Sequence, residues 1–110
     1  MQYALLIYGT GSTEAAGELD PAIAAVLERP SVVDWARLRG LESATTLRRS
    51  EGRTLMTDGP FLDSKEFLGG LVIVDAADLD GAVAVVQELQ ELRPNVAIEV
   101  RPVLETAATA

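Results

Sequence analysis

Apolar residues occur in short runs along the chain, and glycine, proline and charged residues separate these runs. Residues 3–8 form the first run, whose length and aromatic content are typical of a strand. Both faces of this strand are apolar, so we expect both to be covered. Residues 9–17 are mostly small, and they predict a flexible loop.

Helical spacing of apolar residues appears twice after this loop. Asp20 and Pro21 predict a helix start, because Asp caps free backbone N–H groups and Pro fits the first turn. The short apolar stripe of this helix consists of Leu19, Ile23, Val26 and Leu27. A second helix begins with Asp78 or Asp80 as its cap and ends at residues 93–95. Its stripe consists of Ala82, Val85, Val86, Leu89 and Leu92.

Two-residue periodicity predicts a hairpin in the middle of the chain. The Thr-rich segment 43–49 and the short segment 53–56 predict two strands joined by a turn. Residues 32–38 are ambiguous, since they fit either a helical turn or irregular packing.

Two further strands complete the predicted fold. Residues 67–74 predict a strand in which Gly69 and Gly70 mark a bulge or a close backbone approach, and residues 96–103 predict the last strand. The element order is β-α-β-(β)-β-α-β. This order predicts an α+β fold, a ferredoxin-like sandwich with two helices on one face of an antiparallel sheet.

The length of the chain bounds its organisation. A chain of 110 residues has room for one domain, which we assign to residues 1–105, and residues 106–110 predict a frayed tail. Only two helices are available to cover one face of a sheet whose first strand is apolar on both faces. We therefore expect a homodimer that buries the other face.

Composition excludes several classes of chemistry. The chain has no cysteine and no histidine, so it lacks thiolate catalysis and the commonest general base and metal ligand. We expect no bound metal and no cofactor. The net charge of −8 argues against nucleic-acid binding, which needs an excess of Lys and Arg. No apolar stretch approaches the roughly 20 residues of a membrane span, and no signal peptide is evident, so we expect a cytoplasmic protein.

Residues 58–66 combine a turn signal, charges and an aromatic residue. Asp58 either shapes the turn or presents its carboxylate at a pocket mouth as an acid or base, so it is the candidate catalytic residue. Lys65 is either solvated or a ligand for an anionic substrate group. Asp63 and Glu66 are either solvated charges or further polar groups of the site, with Glu66 a candidate ligand-binding residue. We expect this loop to border the main pocket, against the end of the terminal strand.

Other candidate ligand-binding residues lie on the predicted strands and in the ambiguous segment. Strand periodicity places Glu99 and Arg101 on the open face of the sheet, either as a solvated or interfacial ion pair or as a charged wall of a pocket. Tyr3 and Tyr8 point to opposite faces of the first strand, so one hydroxyl is available to the open face. Trp35 is either a core or interface residue or a platform for a ligand.

The segment 58–66, DGPFLDSKE, resembles the signature of the YCII-related family, in the branch that carries a DGPF motif. Four further segments are similar to strands of that family, at residues 1–8, 43–48, 68–70 and 98–103. The resemblance implies a dimeric α/β-barrel in which two ferredoxin-like sheets close around a shared interior.

The resemblance implies two classes of function. Members of the DGPF branch are often encoded beside extracytoplasmic-function sigma factors, which implies a small-molecule-binding or regulatory accessory protein. Some YCII-like proteins are lyases for chlorinated aromatics with a proposed His–Asp pair, and this chain has no His for that pair. The alternative is therefore a cofactor-independent lyase or isomerase that uses Asp58 as its acid or base.

Overall fold

A computed structural model describes residues 1–10, 18–62 and 64–107 of the chain. Most of the loop predicted at residues 9–17, Asp63 and the last three residues of the predicted tail lie outside the described residues. The elements in chain order are β1 (Gln2–Thr10), α1 (Pro21–Leu27), β2 (Val32–Arg37), a 3-10 turn (Leu41–Ser43), β3 (Thr45–Ser50), β4 (Arg53–Asp58), β5 (Glu66–Asp75), α2 (Leu79–Leu92) and β6 (Ala97–Pro102).

Four of these strands form an antiparallel sheet in the order β2-β5-β1-β6. Helices α1 and α2 pack on one face of the sheet and contact each other. The α+β architecture predicted from the element order is therefore present, and it is consistent with a ferredoxin-like sandwich.

Side-chain caps fix the starts of both helices. The Asp20 carboxylate accepts a hydrogen bond from the Ala22 backbone N–H at 2.8 Å, and Pro21 occupies the first turn, as predicted. The sequence left two alternatives for the cap of α2. Asp78 is that cap, because its carboxylate accepts a hydrogen bond from the Gly81 N–H at 2.9 Å.

The core lies between the sheet and the two helices. Leu5 and Val74 are the largest fully buried side chains, and they belong to the two central strands. The other buried apolar residues are Tyr3, Ile23, Val26, Leu27, Val72, Ala82, Val86 and Leu89. The two helical stripes predicted from sequence supply the helix side of this core, with the exception of Leu92, which is exposed at the end of α2.

The main correction concerns the segment 32–38. It forms an edge strand, β2, which pairs with β5. Both alternatives predicted for this segment, a helical turn and irregular packing, were therefore wrong. A register shift between Val32 and Asp34 interrupts the strand alternation, and the strand is mostly exposed. Both features hide the two-residue pattern that identifies a strand.

A glycine pair allows the close approach of strands that the sequence predicted. Ile7 lies opposite Gly70 and Tyr8 lies opposite Leu68, so Gly69 is the extra residue of a bulge. A Cβ atom on Gly70 would lie 2.9 Å from the Ala36 carbonyl oxygen of the neighbouring strand. Glycine at this position therefore permits β2 to pair with β5.

Strands β3 and β4 form a separate two-stranded sheet, which we call the hairpin arm. The sequence predicted this hairpin correctly, and its two strands lie outside the four-stranded sheet. The radius of gyration is 15.7 Å, compared with about 13 Å for a compact domain of this length. Exposed apolar side chains of the arm are Leu47, Leu55 and Met56.

Candidate ligand-binding cavity

A cavity of about 660 Å³ lies between the helix-facing side of the sheet and the C-terminal ends of α1 and α2. Its walls come from elements far apart in sequence, so no single motif encodes it. The apolar lining includes Ile7, Leu19, Ile23, Leu27, Trp35, Phe67, Val72, Leu89, Val96 and Ile98. The volume falls in the range of roughly 300–1,000 Å³ that is typical of small-molecule sites.

The polar groups of the cavity are mostly cationic. Arg37 and Arg39 reach it from the end of β2 and the residues after it, and Arg93 reaches it from the C-cap of α2. Thr10 also belongs to the lining. No Asp or Glu among the described residues lines the cavity. The described residues of the site can therefore offer hydrogen-bond donors and positive charge to a ligand, but no carboxylate base.

Trp35 is the candidate residue from the sequence analysis that the structure places in this cavity. It lies opposite Val72 in the β2–β5 ladder, so its side chain shares the helix-facing side of the sheet. The indole remains 42% exposed, although it lies beside the core. An aromatic surface at the edge of an apolar cavity is suited to packing against an apolar or aromatic ligand.

Four other candidates share the opposite, open face of the sheet. Glu99 lies opposite Leu6 and Arg101 lies opposite Ala4, which confirms the predicted orientation of both charges. The alternation along β1 and β5 also places Tyr8 and Glu66 on the open face. Tyr3 is buried against the helices, so the two tyrosines face opposite sides, as predicted. These four residues are separated from the cavity by the sheet.

Glu99 and Arg101 do not pair with each other in this chain. The ion pairs among the described residues join the N-terminal ammonium group to Asp75 and Arg29 to Glu88. Both side chains on β6 are exposed. The open face of the sheet therefore carries these two exposed charges.

Asp58 ends β4, opposite Thr45, and it is exposed. The turn after it is tied to the start of the hairpin arm by two hydrogen bonds. The Gly59 N–H donates to the Ala44 carbonyl at 2.8 Å, and the Thr46 hydroxyl donates to the Gly59 carbonyl at 2.7 Å. Gly59 has a φ of 103°, which explains the need for glycine. These contacts hold the turn in one conformation.

The loop at residues 58–66 does not border the helix-side cavity. Phe67 and Gly69, which follow the loop, line that cavity, whereas Asp58, Lys65 and the other described residues of the loop do not. Lys65 is exposed, and the Glu66 backbone N–H donates a hydrogen bond to the Ser64 hydroxyl at 3.2 Å.

Sequence reasoning missed the arginines and Phe67. The signal for Arg37 was available in principle, since it is two residues after Trp35 and shares its face on a strand. It went unused because β2 was not recognised as a strand. Arg93 had no comparable signal, because only the packing of α2 over the sheet brings it to the cavity.

The described residues contain neither a cluster of metal ligands nor a candidate membrane-spanning helix. No three Asp or Glu side chains there come together as metal ligands would, and the chain contains no His or Cys. No helix in the described ranges is long and apolar enough to cross a membrane.

Comparison with known proteins matches the YCII-related domain to residues 1–107. The chain belongs to the YCII-related family. It is also 43% identical over 68 residues to an uncharacterized protein of Rhizobium meliloti (strain 1021). That match covers 61% of this chain and 55% of the relative, so the chain spans about half the length of that relative.

Proposed function

We propose that this YCII-domain protein is a small-molecule-binding protein that acts as a homodimer. The observation that carries the proposal is the apolar cavity with Trp35 at its edge and arginines in its lining. Cavities of this size and character are the usual sites of small ligands. The regulatory role that the DGPF resemblance implies is compatible with binding alone, and we propose it for this chain.

The chemistry of the cavity favours binding over catalysis. A lyase or isomerase without a cofactor needs a group that removes a proton, and the commonest ones are His and carboxylates. No described Asp or Glu lines the cavity, and the chain has no His. Asp58, the candidate acid or base, lies at the end of the hairpin arm and outside the cavity lining.

Two exposed apolar surfaces support a homodimer. The open face of the sheet carries a half-buried apolar strip on its central strands, formed by Ala4, Leu6, Leu71 and Ile73. The hairpin arm pairs with no other strand, and an isolated two-stranded hairpin is at best marginally stable in water. Packing of two open faces, with each arm against the other subunit, buries both surfaces and stabilises the arm.

A thermal-shift screen of a metabolite library tests the binding function. Gly9 lines the cavity, and a Cβ atom built on it has no neighbour within 4 Å among the described residues, so Gly9→Phe fills the space without a clash at its base. We expect ligands that raise the melting temperature of the wild type to lose this effect in Gly9→Phe.

The matched control is Ala25→Phe, which adds the same ring at an exposed position of α1. Ligands should stabilise this variant as they stabilise the wild type. If the hits stabilise Gly9→Phe and the wild type equally, the ligands bind elsewhere and the proposal is wrong.

A further inference from the structure

We propose that the cavity selects apolar molecules that carry a carboxylate, and that the guanidinium groups of Arg37 and Arg93 bind this carboxylate. This inference rests on the proposed function, since it names the ligand class for the same cavity. It goes beyond that function, because it requires the cavity to bind carboxylates more tightly than neutral molecules. A cavity without charge selection would bind the two kinds of molecule equally well.

The charge of the lining is the first observation. The chain contains 17 acidic and 9 basic residues, so the chain as a whole carries a net negative charge. The described lining has the reverse character, since Arg37, Arg39 and Arg93 belong to it and no Asp or Glu does. Positive charge in an apolar recess attracts anions more strongly than it does in open water, because the local dielectric constant is lower.

The positions of the two arginines are the second observation. Arg37 ends β2 and Arg93 lies just before β6, and these strands are the two edges of the sheet. Three strand spacings separate the edges, which is about 14 Å. The two side chains therefore enter the cavity from opposite edges of the sheet, above its apolar floor, and can converge on one carboxylate. A ligand with an apolar body and a terminal carboxylate satisfies both parts of this arrangement.

The third observation is that the guanidinium groups of these two arginines form none of the observed ion pairs. Neither Arg37 nor Arg93 takes part in the ion pairs that the described residues form. Arg93 has a structural role as well, because a cation favours the negative end of the α2 dipole. Arg37 has no such role at the edge of a sheet, so it is the sharper test. A guanidinium group presents a planar fork of donors that fits a carboxylate in a bidentate manner.

Calorimetric titration of the full chain with matched pairs of compounds tests the inference. The probes are octanoate, phenylbutyrate and naphthoate, each compared with its neutral primary amide. We expect at least one acid to bind about tenfold more tightly than its amide, as one charge-assisted hydrogen bond predicts. Arg37→Gln should lower the affinity for the acid by about tenfold and leave the affinity for the amide unchanged. Arg93→Gln should act in the same direction.

The control variant is Arg49→Gln, which makes the same charge change on the hairpin arm, outside the cavity lining. It should leave both affinities unchanged, and circular dichroism should show that all three variants are folded. An equal loss in Arg49→Gln would mean a general effect of net charge and would overturn the inference.

Two further outcomes separate this inference from the proposed function. Equal affinities of acids and amides in the wild type, abolished by Gly9→Phe, would overturn carboxylate selection and leave the cavity as a binding site. Failure of every acid and amide to bind at millimolar concentration, together with no ligand lost in Gly9→Phe, would overturn both.

Discussion

Trp35 lies directly opposite Val72 in the ladder between β2 and β5. Val72 is 3% exposed and Trp35 is 42% exposed, so the two side chains share the helix-facing side but only the indole reaches the opening of the cavity. Trp35 is also the sole tryptophan of the chain. Its fluorescence therefore reports on the cavity without a contribution from another indole.

Truncation of the central core should destabilise the chain strongly. Leu5 is 0% exposed, so Leu5→Ala removes buried methyl groups and leaves a cavity. We expect the free energy of unfolding, measured in urea, to fall by about 2–5 kcal/mol. The control Leu104→Ala, at a residue that is 97% exposed, should change it by less than about 0.5 kcal/mol. Similar losses in the two variants would contradict the placement of the core on β1.

The cap of α2 should depend on one of two neighbouring carboxylates. Asp78→Ala removes the hydrogen bond to the Gly81 N–H and should cost about 1 kcal/mol of unfolding free energy. Asp80→Ala keeps that bond and removes only a charge in the first turn, so we expect a smaller loss. A larger loss for Asp80→Ala, in the same urea titration, would mean that the helix begins differently.

Two cavity-lining glycines should respond differently to the same substitution. Gly70→Ala places a Cβ atom 2.9 Å from the Ala36 carbonyl, so we expect β2 to detach and its amides to exchange faster with deuterated solvent. Gly9→Ala meets nothing within 4 Å and should leave these exchange rates unchanged. Unchanged exchange in both variants would show that β2 does not pack closely on Gly70.

The turn at the end of the hairpin arm should matter for stability more than for ligand binding. Gly59→Ala forces a side chain into a φ of 103° and should lower the free energy of unfolding by about 1 kcal/mol or more.

Asp58→Asn should leave the affinity of the cavity for its ligands unchanged, because Asp58 does not line it. Loss of ligand affinity in a folded Asp58→Asn variant would instead support the catalytic or anchoring role considered from the sequence.

The hairpin arm should control the oligomeric state. Leu47 and Met56 lie opposite each other on one face of the arm and are 61% and 71% exposed. We expect light scattering of the wild type to return twice the chain mass of 11.7 kDa, and the double variant Leu47→Glu, Met56→Glu to return the single mass. Leu104→Glu is the control and should remain dimeric. A wild-type mass of one chain would refute the dimer.

Local signals in the sequence were sufficient for much of the fold. Asp20 and Pro21 predicted the start of α1, and the spacing of apolar residues predicted the helix stripes that build the core. The two-residue period of β6 correctly oriented Glu99 and Arg101 toward the open face. Each of these features depends on residues within a few positions of one another, and local geometry dictates such features directly.

Only the tertiary structure decided where the cavity lies and which residues surround it. Strand β2 carries a register shift and is mostly exposed, so its periodicity is weak, and its pairing with β5 depends on the distant Gly70. That pairing brings Trp35 and Arg37 to the helix-facing side, where the packing of α2 adds Arg93. The cavity exists because elements far apart in sequence leave a space between them, and no local pattern records the shape of that space.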